Sequence, residues 1–160
     1  MAYYVRAFCT QGESPPLRPI LAFSAEHGAP LDLDPEVGGP ALDDSRWDQV
    51  GIVYKNHKPS ILLDLIGGDG NDESLVHEEI EEFLDLLEDA PRNRNRRRVE
   101  TNLRNTRFIV AAQLPTSSID EDGYVALGNI LRYLINNNGA MIQADGEGFY
   151  EGDKIIVALA

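Results

Sequence analysis

The residues with most chemistry per unit length lie near the C-terminus. From 145 to 153 the chain reads Asp-Gly-Glu-Gly-Phe-Tyr-Glu-Gly-Asp. Carboxylates in a glycine-rich turn can ligate a hard cation or orient a substrate, and loop aromatics suit recognition. The Asp145, Glu147, Glu151, Asp153 series lacks the Asp-x-Asp-x-Asp-Gly spacing of a calcium loop. Gly146-Glu147-Gly148 resembles the start of a dinucleotide fingerprint. No helix is expected after it, however, and the flanking acids would repel a phosphate. The stretch is therefore read as a hairpin connection and as the first candidate binding site, through Asp145, Glu147, Phe149 and Tyr150. The two aromatics either face a ligand or fold back onto the core. No metal and no cofactor are implied.

A second concentration is the run Arg92-Asn93-Arg94-Asn95-Arg96-Arg97-Arg98. Seven of the 14 Lys and Arg residues fall between 92 and 107, where Glu100 is the single acid. Arg96, Arg97 and Arg98 could hold nucleic-acid phosphates. No stacking aromatics accompany them, and an acidic helix precedes them directly. Pairing with Glu78, Glu82, Asp85, Glu88 or Asp89 is the expectation that ranks first.

Three further candidates are weaker. His77 shares a helix face with Glu73 and Glu81, a conceivable nitrogen and carboxylate set, but no second histidine stands at ligand spacing. Asp64 interrupts the apolar run 61–66, where burial would raise its pKa and suit it to general acid or base work. Cys9 has no histidine partner in the sequence, and buried structural thiols are common.

The elements that position these residues follow from periodicity. Residues 3–9 are β-branched and aromatic and predict a strand. A helix fits 17–27, ended by Gly28, and a short extended piece covers 29–34. Residues 35–46 form a long loop. The stretches 47–55 and 61–66 predict a hairpin, broken afterwards at 67–71. Val76, Ile80, Phe83, Leu84 and Leu87 mark one face of an acidic helix, with Asn71 or Asp72 as its cap. Pro91 disfavours its continuation. A shorter helix fits 96–103, and a strand covered on both faces fits 106–113. Ser118-Ile119-Asp120-Glu121 matches a capping box for a helix reaching about Asn137. Gly123 and Gly128 weaken that helix by about 1 kcal/mol each relative to alanine, which hints at close backbone approach or at a helix that starts after Gly123. Strands are expected at 140–144 and 154–159.

Gly28-Ala29 and Gly139-Ala140 end two helices in similar surroundings, each within a β-α-β-β outline. The expected fold is thus a single α+β domain: an antiparallel or mixed sheet with about three main helices. It admits two ferredoxin-like halves, 1–67 and 106–160, joined by a helical connector, 72–104.

Composition narrows the function classes. The formal net charge is −13, from 27 acidic and 14 basic residues. Such a surface repels phosphate backbones and anionic membranes as a whole. No apolar run is long enough for a membrane span, and residues 1–6 lack the pattern of a signal peptide. With a single cysteine, the expectation is a cytoplasmic protein without disulfides. The first functional reading is a binding or regulatory protein whose acidic surface meets a basic protein partner. The second is a small-molecule enzyme with a cleft between the halves, using Asp64, Asp145, Glu147 and Tyr150. The third is nucleic-acid binding through Arg92–Arg98. Oligomerisation stays open.

Overall fold

A computed structural model describes residues 3–37, 42–67 and 73–159. The proposed cap of the acidic helix, parts of the 35–46 loop and most of the 67–71 break lie outside these residues.

Eight strands form one antiparallel sheet: β1 (Tyr3–Cys9), β2 (Asp32–Leu33), β3 (Gln49–Val53), β4 (Ile61–Ile66), β5 (Phe108–Leu114), β6 (Met141–Ala144), β7 (Gly148–Glu151) and β8 (Lys154–Ala158). Their order across the sheet is β2-β3-β4-β5-β1-β6-β7-β8. Among the described residues four helices accompany the sheet: α1 (Leu17–Glu26), α2 (Glu73–Leu87), α3 (Arg94–Arg104) and α4 (Glu121–Asn138). The α+β class holds, with antiparallel pairing throughout the sheet.

The period-2 alternation of the strands decides which helices cover which face. Val5, Ala7 and Cys9 of β1 join Leu63 of β4 and Val110 of β5 against α1 and α4. Phe8 of β1, Ile109 of β5 and Phe149 of β7 point the other way, against Val76, Ile80 and Phe83 of α2 and Val99 and Leu103 of α3. β5, buried on both faces, reads accordingly as a nearly continuous apolar run. α2 and α3 therefore supply the helical layer of one sheet face.

The ferredoxin-like halves are not confirmed. After α1 the chain goes to the sheet edge, β2, and works inward through β3 to β4. After α4 it goes to β6, beside β1, and works outward through β7 to β8. The shared Gly-Ala signal reflects local helix-stop chemistry, since Gly28 (φ 85°) and Gly139 (φ 60°) both adopt left-handed backbone.

Two local expectations change. The cap of α4 is Asp120, whose side chain accepts from the Gly123 N–H at 3.1 Å, while Ser118 sits in the preceding turn. Within 145–153, residues 148–151 form a strand. Phe149 is fully buried, with its ring 5.9 Å from Phe8 and 5.8 Å from Phe83. Gly148 takes φ 133°, and a Cβ there would stand 2.1 Å from the Val157 carbonyl oxygen. A glycine that reads as a turn breaker serves here to let two strands approach.

Candidate functional site

α4 packs against α1 and β1 on the sheet face opposite α2 and α3, and a gap remains between it and the sheet. The gap is an open cavity of about 780 Å³, within the size range of small-molecule sites. Leu127, Leu131 and Ile135 of α4 form one wall; Val5, Leu114, Ile142 and Ala144 of the sheet form the other. Gly128 also faces it, and a Cβ at that position would meet no atom within 4 Å. Close approach is real at Gly123, where a Cβ would stand 2.5 Å from Ile119 Cγ1. At Gly128 the missing side chain leaves open volume instead.

The polar feature of this cavity is Glu147. Its turn is fixed by Glu147 N–H donating to Ala144 O at 3.1 Å and by Leu159 N–H donating to Glu147 O at 3.1 Å. Each carboxylate oxygen accepts from one phenol, Oε2 from Tyr3 and Oε1 from Tyr150. The hydrogen bonds from Tyr150 and then Tyr3 hold the Glu147 carboxyl below the usual glutamate range. Burial and the same bond push the Tyr3 hydroxyl up, and the bond to Glu147 pushes Tyr150 up. The trio is one carboxylate between two neutral phenols. A carboxylate has about four acceptor positions, so two remain for a ligand. Arg132 and Asp153 also line this cavity, one on α4 and the other in the β7–β8 turn.

Asp145 is two residues away but serves the opposite side of the sheet. Arg6 Nη1 donates to its Oδ1 at 2.8 Å, and Tyr4 N–H to its Oδ2 at 3.1 Å. Burial would raise the Asp145 pKa, but bonds from Arg6, Gln143 and Tyr4 outweigh it and hold the carboxyl low. Arg6 also reaches Gln143 Oε1 at 2.8 Å and stands over the Tyr4 and Phe83 rings, at 5.2 Å each. Its ion-pair contact with Glu79 Oε2 of α2 is longer, 3.5 Å, and is not a hydrogen bond; burial raises the Glu79 pKa. Asp64 lies on this same face, half-buried, accepting from Gln49 Nε2 at 2.9 Å; burial raises its pKa. Of the four residues assigned to a shared cleft, the structure brings together Glu147 and Tyr150. Asp145 and Asp64 stand elsewhere.

Among the described residues no arginine of the 92–107 run pairs with an acid of α2. Arg96 bonds Glu100 at 3.0 Å and the Ala90 carbonyl at 3.0 Å, tying α3 to the end of α2. Arg98 pairs with Glu151 of β7, with Nη1 to Oε2 at 2.6 Å, and Arg97 is exposed. His77 is exposed on α2, and among the described residues no three His, Cys, Asp or Glu side chains come close enough to hold a metal ion. Cys9 is fully buried and burial pushes its thiol pKa up, the opposite of a nucleophile's need. Among the described residues no helix is long and apolar enough to cross a membrane.

Sequence reasoning missed Tyr3, Arg6 and Gly128. A charged residue inside an otherwise apolar strand was a readable signal for Arg6. Nothing local marks Tyr3, whose partner is 144 residues away. No protein-family model, curated protein or solved structure matches the chain significantly. The site is therefore argued from its geometry.

Proposed function

We propose that this protein is a binding module for a small amphipathic molecule. An apolar body would lie between α4 and the sheet, and a donor-rich head, an amine or hydroxyl, would meet Glu147. The carrying observation is the carboxylate held between Tyr3 and Tyr150 in a cavity whose walls are mainly apolar, with Arg132 and Asp153 also lining it. Binding rather than proton transfer is favoured because Glu147 lies below its usual pKa range and both phenols lie above theirs. A general acid or base works best with a pKa near the working pH.

The test is a thermal-shift and calorimetric titration with octylamine, octanol and octanoate. Saturable binding should rank octylamine first and octanoate last. Glu147→Gln should remove that ranking, and Gly128→Leu should abolish binding of all three. No saturable binding by any of them, or equal binding in Gly128→Leu, would sink the reading.

A second reading, contact with a basic protein, is supported by α2. Glu78 and Glu82 are exposed, and among the described residues no arginine of the 92–107 run pairs with them. Leu75 and Leu86, 48% and 47% exposed, lie at the two ends of the same helical stripe. Charge reversal, Glu78→Lys with Glu82→Lys, should abolish any salt-sensitive association with a basic partner. A partner that survives this change would not be using α2.

A further inference from the structure

The exposed side of α3 carries residues that the cavity under α4 does not use. Arg94, Arg97, Arg98, Thr101 and Asn105 follow steps of three, one, three and four, so they share one helix face. With Asn102, Thr10 and Met141 they line an open groove of about 660 Å³. No carboxylate is among the lining residues. Arg94 with Arg97 and Arg94 with Arg98 are like charges at helical contact spacing, which destabilises a helix on its own. Three other arginines of the run are compensated: Arg96 and Arg104 by Glu100, and Arg98 by Glu151. Among the described residues no carboxylate lies within ion-pair distance of Arg94 or Arg97. The groove thus concentrates positive charge and hydroxyl and amide groups in a chain of net charge −13.

We propose that this groove binds a small molecule bearing a phosphomonoester, with Arg94 and Arg97 as its primary contacts and Glu151 as a resident competitor. Guanidinium groups match phosphate oxygens in forked hydrogen bonds. Thr101 stands one turn beyond Arg97 and supplies a hydroxyl. Asn102 and Asn105 are anchored through Nδ2, to Phe8 O at 3.3 Å and Thr101 O at 2.9 Å, so the groove floor is positioned before a ligand arrives. Arg98 is held by both Glu151 oxygens. A phosphate that recruits Arg98 must displace that carboxylate. A small ligand fits better than a nucleic-acid strand, because the lining residues include no aromatic for base stacking and the surrounding acids oppose a polyanion.

The experiment titrates the full chain with inorganic phosphate, with sodium chloride at matched ionic strength, and with a short single-stranded RNA. Phosphorus-31 line width and thermal shift are both read. Phosphate should bind saturably, and Arg94→Ala with Arg97→Ala should abolish saturable binding while slightly raising the melting temperature without phosphate. Glu151→Gln should tighten phosphate several-fold by removing the competitor. Any general salting effect of phosphate persists in the double variant and is subtracted with it. Phosphate indistinguishable from chloride would overturn the proposal. So would unchanged phosphate binding in the double variant, phosphate affinity unchanged by Glu151→Gln, or RNA binding with a multi-phosphate salt slope where phosphate alone fails.

Discussion

Two adjacent residues of β7 meet opposite conditions. Phe149 enters the α2 and α3 face, where Phe8 and Phe83 surround it and no exposure remains. Tyr150 enters the α4 face, where a cavity of about 780 Å³ is left between helix and sheet. One face is filled with aromatic carbon. The other keeps space, a glycine without a neighbour, and a carboxylate held by two phenols. The contrast separates side chains that hold the sheet together from those free to meet a ligand. Neither role follows from residue type, since both are aromatics in one short strand.

The sharpest test of that contrast is truncation at these two sites. Phe149→Ala should cost about 3–5 kcal/mol, the usual range for a large aromatic removed from a packed core. Tyr150→Phe should cost about 1 kcal/mol, the net worth of one hydrogen bond to a partly solvated acceptor. Urea unfolding of both variants measures the difference. Similar costs would mean that the α4 side is packed as tightly as the other and that the gap closes in solution.

Gly128 gives the next largest effect. An exposed mid-helix glycine costs about 1 kcal/mol relative to alanine, and here no close neighbour requires it. Gly128→Ala should therefore raise stability by up to about 1 kcal/mol and leave room for a ligand. Gly128→Leu should keep the fold and fill the cavity. At Gly123 the same change to alanine should destabilise, because a Cβ there would stand 2.5 Å from Ile119 and 2.9 Å from Tyr54. Opposite signs at two glycines of one helix distinguish a cavity wall from a close-packed crossing. Thermal melts of the three variants decide it.

Periodicity located most of the elements behind this contrast. The β1 boundaries, the β3–β4 hairpin, α2 and the core strand β5 all come from local apolar spacing. Two kinds of information were not local. Strand order places β1 between β5 and β6, and a pattern of apolar residues carries no record of which edges pair. The site itself depends on that order: Tyr3 reaches Glu147 only because β1 lies next to β6. Glu147 and Tyr150 were legible as candidates from their turn composition. Their separation from Asp145 was not, because the turn at 145–147, with Gly146 at φ 74°, breaks the strand alternation, and the β7 strand was read as loop. The arginine run was misjudged for a related reason. Sequence proximity suggested α2 as its counter-ion, whereas the fold brings Glu151 of β7 to Arg98.

The smallest effect is a difference in pH response between the two faces. Glu147 has a folded pKa below its unfolded value because Tyr150 and Tyr3 donate to the charged form. Its contribution is present above the ordinary glutamate range and is lost as pH falls through the lowered value. Glu79 is the reverse: burial raises its pKa, Arg6 offsets only part of that, and Glu82, Asp145 and Glu78 add to it. Its contribution is present at acid pH and is lost as pH rises through the raised value. Arg6 explains the difference within its own cluster, since it holds Asp145 at 2.8 Å and Glu79 at 3.5 Å. Relative to the parent chain, Glu147→Gln should therefore look worst near neutral pH and recover its deficit on acidification below about pH 4, the ordinary glutamate range. Glu79→Gln should look worst at low pH and gain on the parent as pH rises through the raised value. Chemical denaturation across pH 3 to 7 gives both curves, with the Glu147 difference the more reduced by solvent screening. Parallel curves would show that the two carboxylates share one environment, and the distinction between a ligand-facing acid and a burial-strained one would fall.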